Sequence, residues 1–155
     1  MSHRRDWTRT GSVAAVVLIC DQVTKALVRG GIAEGDSHRV IGGFVTLVHD
    51  QNSGVAFSLL TGSDVGVLII TLVVLAGLIA FHARHRERRL MWVVTGMIVG
   101  GALGNLLDRV RTGSVTDFVK LPAWPAFNLA DTSITLGVIA LILILGFRGA
   151  PARAG

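Results

Sequence analysis

Four apolar segments constrain this chain more than any other feature, because each is long enough and apolar enough to cross a bilayer. They run over residues 11–28, 65–81, 90–107 and 130–147, covering 18, 17, 18 and 18 residues. The second and third carry no charge. The first holds Asp21 and Lys25 in its second half, and the fourth holds only Asp131, at its start. A helix needs roughly 20 apolar residues to cross about 30 Å of hydrocarbon. In lipid the backbone must satisfy its own hydrogen bonds, which makes these segments helices. The expected fold is therefore all-α, with four transmembrane helices forming a single integral membrane domain over residues 1–155. Charged residues make up 16% of the chain and its mean hydropathy is +0.62, whereas soluble domains carry about a quarter charged residues.

The net charge of +5 does not point to nucleic acid. The basic residues sit in short runs beside the apolar segments, not on a face interleaved with aromatics. Arg4, Arg5 and Arg9 precede the first segment, Arg84, Arg86, Arg88 and Arg89 fill the second connection, and Arg148 and Arg153 follow the fourth. That places nine basic residues on one side, against five on the other: Arg29, Arg39, Arg109, Arg111 and Lys120. The positive-inside rule then puts both termini in the cytoplasm and segments 29–64 and 108–129 outside. Cys20 is the only cysteine, so no disulfide forms within the chain and a thiolate metal site is disfavoured. Its setting, VVLIC, imitates a lipid-attachment site, but bulky Ile19 stands where a small residue is needed. The first segment therefore reads as a retained helix.

Within the first outer segment, HRVIGGFVTLVHD (residues 38–50) mixes β-branched residues with a glycine pair and reads as a hairpin lying on the membrane surface, with an irregular loop as the alternative. Gly96, Gly100 and Gly104 recur every fourth residue in the third span, where they let a neighbouring helix approach closely.

Sorting the acidic residues by depth isolates Asp21, Asp108, Asp117 and Asp131 near the outer ends of the spans. Asn52, Asn105, Asn128, Lys25 and Arg109 lie at the same level. Each has an ordinary account. Asp21 and Lys25 are spaced to neutralise each other, Asp108 and Arg109 could anchor at the interface, and Asp131 could cap a helix. Those accounts do not explain why so many polar groups converge at one depth, where a charge costs about 2.5–3.5 kcal/mol on insertion scales. The histidines do not converge as metal ligands must, and no G-x-S-x-G elbow occurs. A serine–lysine dyad of Lys25 or Lys120 with Ser53, Ser58, Ser114 or Ser133 has no spacing in its favour. Asp117 and Asp131 do invite pairing, because the Pro122- and Pro125-stiffened link between them must turn back. Two unit charges about 4 Å apart repel by roughly 4 kcal/mol at an effective dielectric near 20. Such a pair holds one proton between them and offers an acid beside a base.

The motifs Asp21-Gln-Val-Thr-Lys25, Asn52-Ser-Gly-Val-Ala-Phe57, Gly101-Ala-Leu-Gly-Asn-Leu-Leu-Asp-Arg109, Val115-Thr-Asp-Phe118 and Phe127-Asn-Leu-Ala-Asp131 occur in that order. Together they resemble lipoprotein signal peptidase, the type II signal peptidase of bacteria, over nearly the whole chain. The resemblance implies an aspartic endopeptidase of the bacterial inner membrane, with four helices and an extracytoplasmic β-cradle. It further implies cleavage of diacylglyceryl-modified prolipoproteins just before the lipidated cysteine, within the surrounding membrane lipid. The catalytic pair falls on Asp117 and Asp131. Asn52, Gly54, Asn105, Arg109, Asn128 and Ala130 match cleft positions, and Asp21, Lys25 and Asp108 match supporting ones. No metal or organic cofactor is implied, and nothing in the sequence calls for more than a monomer. Two departures concern loop shape: extra residues precede Asn52, and the link between the aspartates is short. The competing readings are a small transporter, whose acids would reach both leaflets, and a non-catalytic scaffold, which would tolerate Asp117→Asn or Asp131→Asn.

Overall fold

A computed structural model describes residues 2–54 and 64–146. The chain runs α1 (Ser2–Gly31), β1 (Ser37–Val40), a 3-10 turn (Ile41–Gly43) and β2 (Val45–Asn52). It continues through α2 (Asp64–His85), α3 (Met91–Thr112), β3 (Val115–Lys120) and α4 (Leu129–Gly146). All four expected helices are present, with ends that differ from the apolar limits. Phe147, the last residue of the expected fourth span, lies outside the described residues. The 30 residues of α1 rise about 45 Å at 1.5 Å each, so the helix runs beyond the hydrocarbon that its apolar stretch fills. In α3 the helix continues through Asp108 and Arg109 to Thr112 before Gly113 ends it at φ 77°. The helix thus runs five residues past the apolar limit at 107, because the amides of residues 108–112 stay in the helix ladder until a left-handed glycine stops it.

α3 is the central helix. Over half of its apolar window is buried, 56% against 17% in each of the other three. The glycine row makes this possible. A Cβ on Gly96 would stand 2.7 Å from Cβ of Val13, and one on Gly100 would stand 2.6 Å from the Ala14 carbonyl oxygen, so α1 packs directly on the α3 backbone. On another face, Gly101 gives the same close approach to Ala130 of α4. α2 packs mainly on α3. Large apolar side chains such as Leu27, Val73 and Ile142 stay 70%, 66% and 62% exposed, as suits a surface solvated by lipid rather than by water.

The β1–β2 hairpin forms as the sequence indicated, turning through Gly42 and Gly43 at φ 63° and 81°. A third antiparallel strand, β3, adds to it in the order β1-β2-β3. Residues 115–120, which belong to the outer segment 108–129 expected from the sequence, pair with β2, with Asp50 opposite Asp117 and Asn52 opposite Val115. After β3 the chain turns through Pro122 and Ala123 (φ 58°). It then pairs back, Phe127 and Val119 exchanging both backbone hydrogen bonds at 2.9 Å. That exchange fixes where α4 starts relative to β3, and so fixes Asp131 relative to Asp117.

Candidate active site

The site lies where the sheet meets the ends of α1, α3 and α4 away from the arginine-rich connection. Asn128 is the N-cap of α4 and Asp131 is its third residue, and they bond reciprocally. The Asp131 amide donates to Asn128 Oδ1 at 2.9 Å, and the Asn128 amide donates to Asp131 Oδ2 at 3.2 Å. This is a capping box built from an amide and a carboxylate. Asp131 is thus not the cap the sequence suggested but the box partner of Asn128, held in one rotamer with its other oxygen free to accept elsewhere.

That other oxygen, Oδ1, accepts Asn105 Nδ2 at 2.7 Å. Asn128 Nδ2 donates to Asp117 Oδ1 at 2.7 Å and to Asn105 Oδ1 at 3.2 Å. Asn52 Nδ2 donates to the second oxygen of Asp117 at 3.0 Å. The Asn52 amide is itself oriented from behind, because the backbone N–H of Gly54 donates to its Oδ1 at 2.9 Å. Gly54 holds φ 73°, a conformation costly for any residue with a Cβ. Three amides therefore run between and around two carboxylates that arrive from different elements, and each amide presents its N–H to an acid. The remaining part of the Asn52 motif, Val55 to Phe57, lies outside the described residues.

Behind this layer sits an ion cluster. Lys25, fully buried, places Nζ 2.8 Å from Asp21 Oδ2, 2.9 Å from Asp108 Oδ2 and 2.9 Å from Asn105 Oδ1. Its three protons thus have three acceptors, none of them a serine. Asp21 also accepts the Ala130 backbone N–H at 2.9 Å, satisfying one of the open amides at the start of α4. Asp108 is buried, with 2% of its side chain exposed, and accepts the Thr116 amide at 3.4 Å. The interfacial-anchor account of Asp108 is thereby corrected: a carboxylate with Lys25 on one side and a strand amide on the other has left the interface. Two residues of this cluster escaped the sequence reading. Gln22 Nε2 reaches Asp108 at 3.0 Å and Asp21 at 3.3 Å, and Arg29 bonds Thr116 Oγ1 at 3.1 Å. Gln22 stands inside the Asp21–Lys25 motif, one residue from an acid, which was the available signal. Nothing local to Arg29 marks it.

Asp117 is pushed up from 3.8 to about 6. Burial is the main cause, since it penalises the charged form; the Asn52 amide pulls the other way, and the nearby charge of Asp131 pushes up again. The carboxyl consequently changes protonation close to neutral pH, as general acid–base chemistry needs.

Two apolar grooves flank the pair. One of about 360 Å³ opens between α2, α3 and α4; Asn105 and Arg109 line it together with Val67, Ile70, Ile98 and Ile134. The other, of about 280 Å³, is bounded by Leu121, Trp124, Phe127 and Leu136 and reaches Asp131 itself. Arg109 faces the first groove and stands beside Gly54, whose Cβ position would be 3.9 Å from its guanidinium. The expected catalytic, cleft and supporting residues thus gather at this end of the bundle.

Comparison with known proteins agrees with the motifs. A family model for signal peptidase II matches residues 13–147. The chain is 39% identical over 133 residues to a lipoprotein signal peptidase of Halothermothrix orenii, covering 86% of this chain and 92% of that one. It is 38% identical over 149 residues to a lipoprotein signal peptidase of Staphylococcus aureus strain MRSA252, covering 92% and 91%. Among solved structures, one described as a bacterial membrane enzyme at 1.9 Å superposes with a TM-score of 0.82 at 37% identity, covering 91% of this chain and 94% of that one. A second, at 2.3 Å, gives 0.83 at 34% identity, with 94% of each chain covered.

Proposed function

The chain belongs to the signal peptidase II family, and from that premise we propose that Asp117 and Asp131 are the acid and base of an intramembrane aspartic peptidase. The protein is a multi-pass membrane peptidase that processes prolipoproteins; the transporter and scaffold readings find no favour in that family. The substrate we propose is the diacylglyceryl-modified precursor, cut before its lipidated cysteine. The observation that carries the dyad is the amide bridge: Asn128 bonds both Asp117 and Asn105, and Asn105 bonds Asp131. Two acids fixed through one network, beside grooves open to lipid, suit a peptide bond delivered by a lipid anchor.

In the proposed reaction Asp131 takes a proton from a water held between the carboxylates, and the water oxygen attacks the scissile carbonyl carbon. Asp117, the group that retains a proton up to about pH 6, gives it to the carbonyl oxygen and forms a gem-diol. Asp131 then passes its proton to the amide nitrogen while Asp117 recovers one from a gem-diol hydroxyl. The C–N bond breaks, leaving a carboxylic acid on the signal peptide and a free amine on the lipidated cysteine. Asn105 and Asn128 orient the acids, and Arg109, at the groove mouth, is suited to a headgroup or ester oxygen. The residues act as one domain, with both termini cytoplasmic and the dyad facing outward, as the basic residues favour.

The test is cleavage of a lipidated precursor by purified protein. Asp117→Asn and Asp131→Asn should each lose activity by at least about a hundredfold while retaining wild-type helicity. Cleavage at the wild-type rate by either variant refutes the dyad. A carboxy-terminal reporter active only in the cytoplasm checks the orientation.

A further inference from the structure

At the end of the bundle opposite the dyad, a groove of about 370 Å³ opens between α1 and the start of α3. It is lined by Arg5, Thr8, Arg9, Ser12, Val13 and Trp92. The five α1 residues are spaced three and four apart, so they form one face of that helix. From Arg5 to Val13 the face descends about 12 Å, with two guanidiniums and two hydroxyls interleaved above the Val13 methyl groups. The Arg9 guanidinium lies 5.6 Å from the centre of the Trp92 ring, which holds its plane at the groove wall. Its ion pair with Asp6 is long, 3.9 Å, on a side chain 57% exposed. Such a pair is weak, and a bidentate phosphate oxyanion competes well against it. Arg84 in the last turn of α2 and Arg86, Arg88 and Arg89 in the adjacent connection add to the positive field.

A wall with two guanidiniums and two hydroxyls above an apolar deep end at Val13 matches one ligand better than it matches free phosphate, which would leave that apolar end uncovered. We propose that this groove binds an anionic glycerophospholipid. Arg5 and Arg9, the latter against Trp92, hold the phosphodiester with the Thr8 hydroxyl between them, Ser12 stands at the level of the glycerol, and Val13 meets the first methylenes. Basic pockets between membrane helices are recognised seats for such headgroups. The proposal rests on the membrane-spanning fold and is independent of the catalytic dyad.

The full-length chain in neutral detergent would be titrated with phosphatidylglycerol, phosphatidylcholine and inorganic phosphate, with bound ligand counted by native mass spectrometry. Phosphatidylglycerol should bind at least about tenfold tighter than phosphatidylcholine, since each arginine near an anionic headgroup contributes about fivefold. Arg5→Gln with Arg9→Gln should weaken phosphatidylglycerol by about 30-fold. Arg84→Gln with Arg89→Gln, which removes the same charge from the same end, should change it by less than about threefold. Millimolar inorganic phosphate should not displace the lipid. Equal binding of the two lipids, equal loss in both arginine pairs, or displacement by inorganic phosphate overturns the proposal. Cleavage of a lipidated precursor by the Arg5/Arg9 variant should stay at the wild-type rate, which verifies folding. Should that variant fail to fold, the single variants carry the same test at about fivefold each.

Discussion

Replacing Asn52 by alanine separates the proton chemistry of the site from its scaffold. Asn52 Nδ2 donates to Asp117 Oδ2 at 3.0 Å, and this bond favours the ionised carboxylate, opposing the burial that raises the group to about 6. Hydrogen bonds to charged groups contribute about 1.5–3 kcal/mol. Asn52 is exposed, so water replaces part of what is lost and about 1 kcal/mol remains. At 1.36 kcal/mol per unit, that moves Asp117 upward by about 0.7. The sign follows from the role assigned to Asp117. If it must hold a proton in the free enzyme, kcat/KM falls as pH rises through its midpoint. The variant should therefore keep activity to higher pH, with the alkaline limb moving from about 6 to about 6.7. The assay is a pH profile of kcat/KM on a lipidated precursor peptide from pH 4.5 to 8. Loss of a substrate contact by Asn52 would lower the whole curve without moving its midpoint. A limb that stays put or shifts to lower pH refutes the assignment of the shared proton to Asp117.

Two further outcomes follow from the same structure. Because the folded value of Asp117 lies above 3.8, its contribution to stability is greatest at low pH and is lost as pH rises through about 6. Asp117→Asn, expected to be inactive, should therefore lie close to wild type in thermal unfolding at pH 4 and exceed it by about 2 kcal/mol at pH 7. An advantage that does not grow with pH argues against a strained buried carboxylate. Gly100→Val should separate α1 from α3, since its Cβ would meet the Ala14 carbonyl oxygen at 2.6 Å. A loss of about 1–3 kcal/mol in unfolding is expected, whereas Gly30→Ala, with nothing within 4 Å, should leave stability within about 0.5 kcal/mol.

What was legible in the sequence was whatever depends on near neighbours. The spans follow from runs of apolar residues, the hairpin from a glycine pair between β-branched residues, and the close α1–α3 contact from glycines four apart. What was not legible depends on partners far along the chain. β3 was missed because VTDFVK alternates weakly and becomes a strand only by pairing with residues about 65 positions earlier, as Thr116 with Gln51. The Asp21 carboxylate bonds the amide of Ala130 across 109 positions, and no local pattern announces that a helix start will borrow its cap from another helix. Asp108 looked interfacial because its own neighbours are polar; its burial comes from Lys25, 83 positions away, and from a strand the sequence did not reveal.

The ion cluster and the proposed dyad depend on each other through a single amide. Asn105 Oδ1 accepts from both Lys25 Nζ and Asn128 Nδ2, so turning the amide over would set two donors against each of those groups. Its Nδ2 must therefore face Asp131, and the charge that forces this orientation is Lys25. A buried ion pair adds little net stability over apolar packing, but it can select one arrangement among several. Lys25→Met alone should cost about 3–5 kcal/mol, because Asp21 would be left charged and unpaired and Asp108 would keep only the distant Arg29 guanidinium at 3.8 Å. Adding Asp21→Asn and Asp108→Asn should recover most of that loss in thermal unfolding, since no buried charge then lacks a partner. If the cluster only holds helices together, the triple variant recovers cleavage along with stability. If Lys25 orients Asn105, stability returns while kcat stays low by about tenfold or more and KM changes little. Recovery of both in parallel would remove the amide relay from the mechanism and leave Lys25 a purely structural ion.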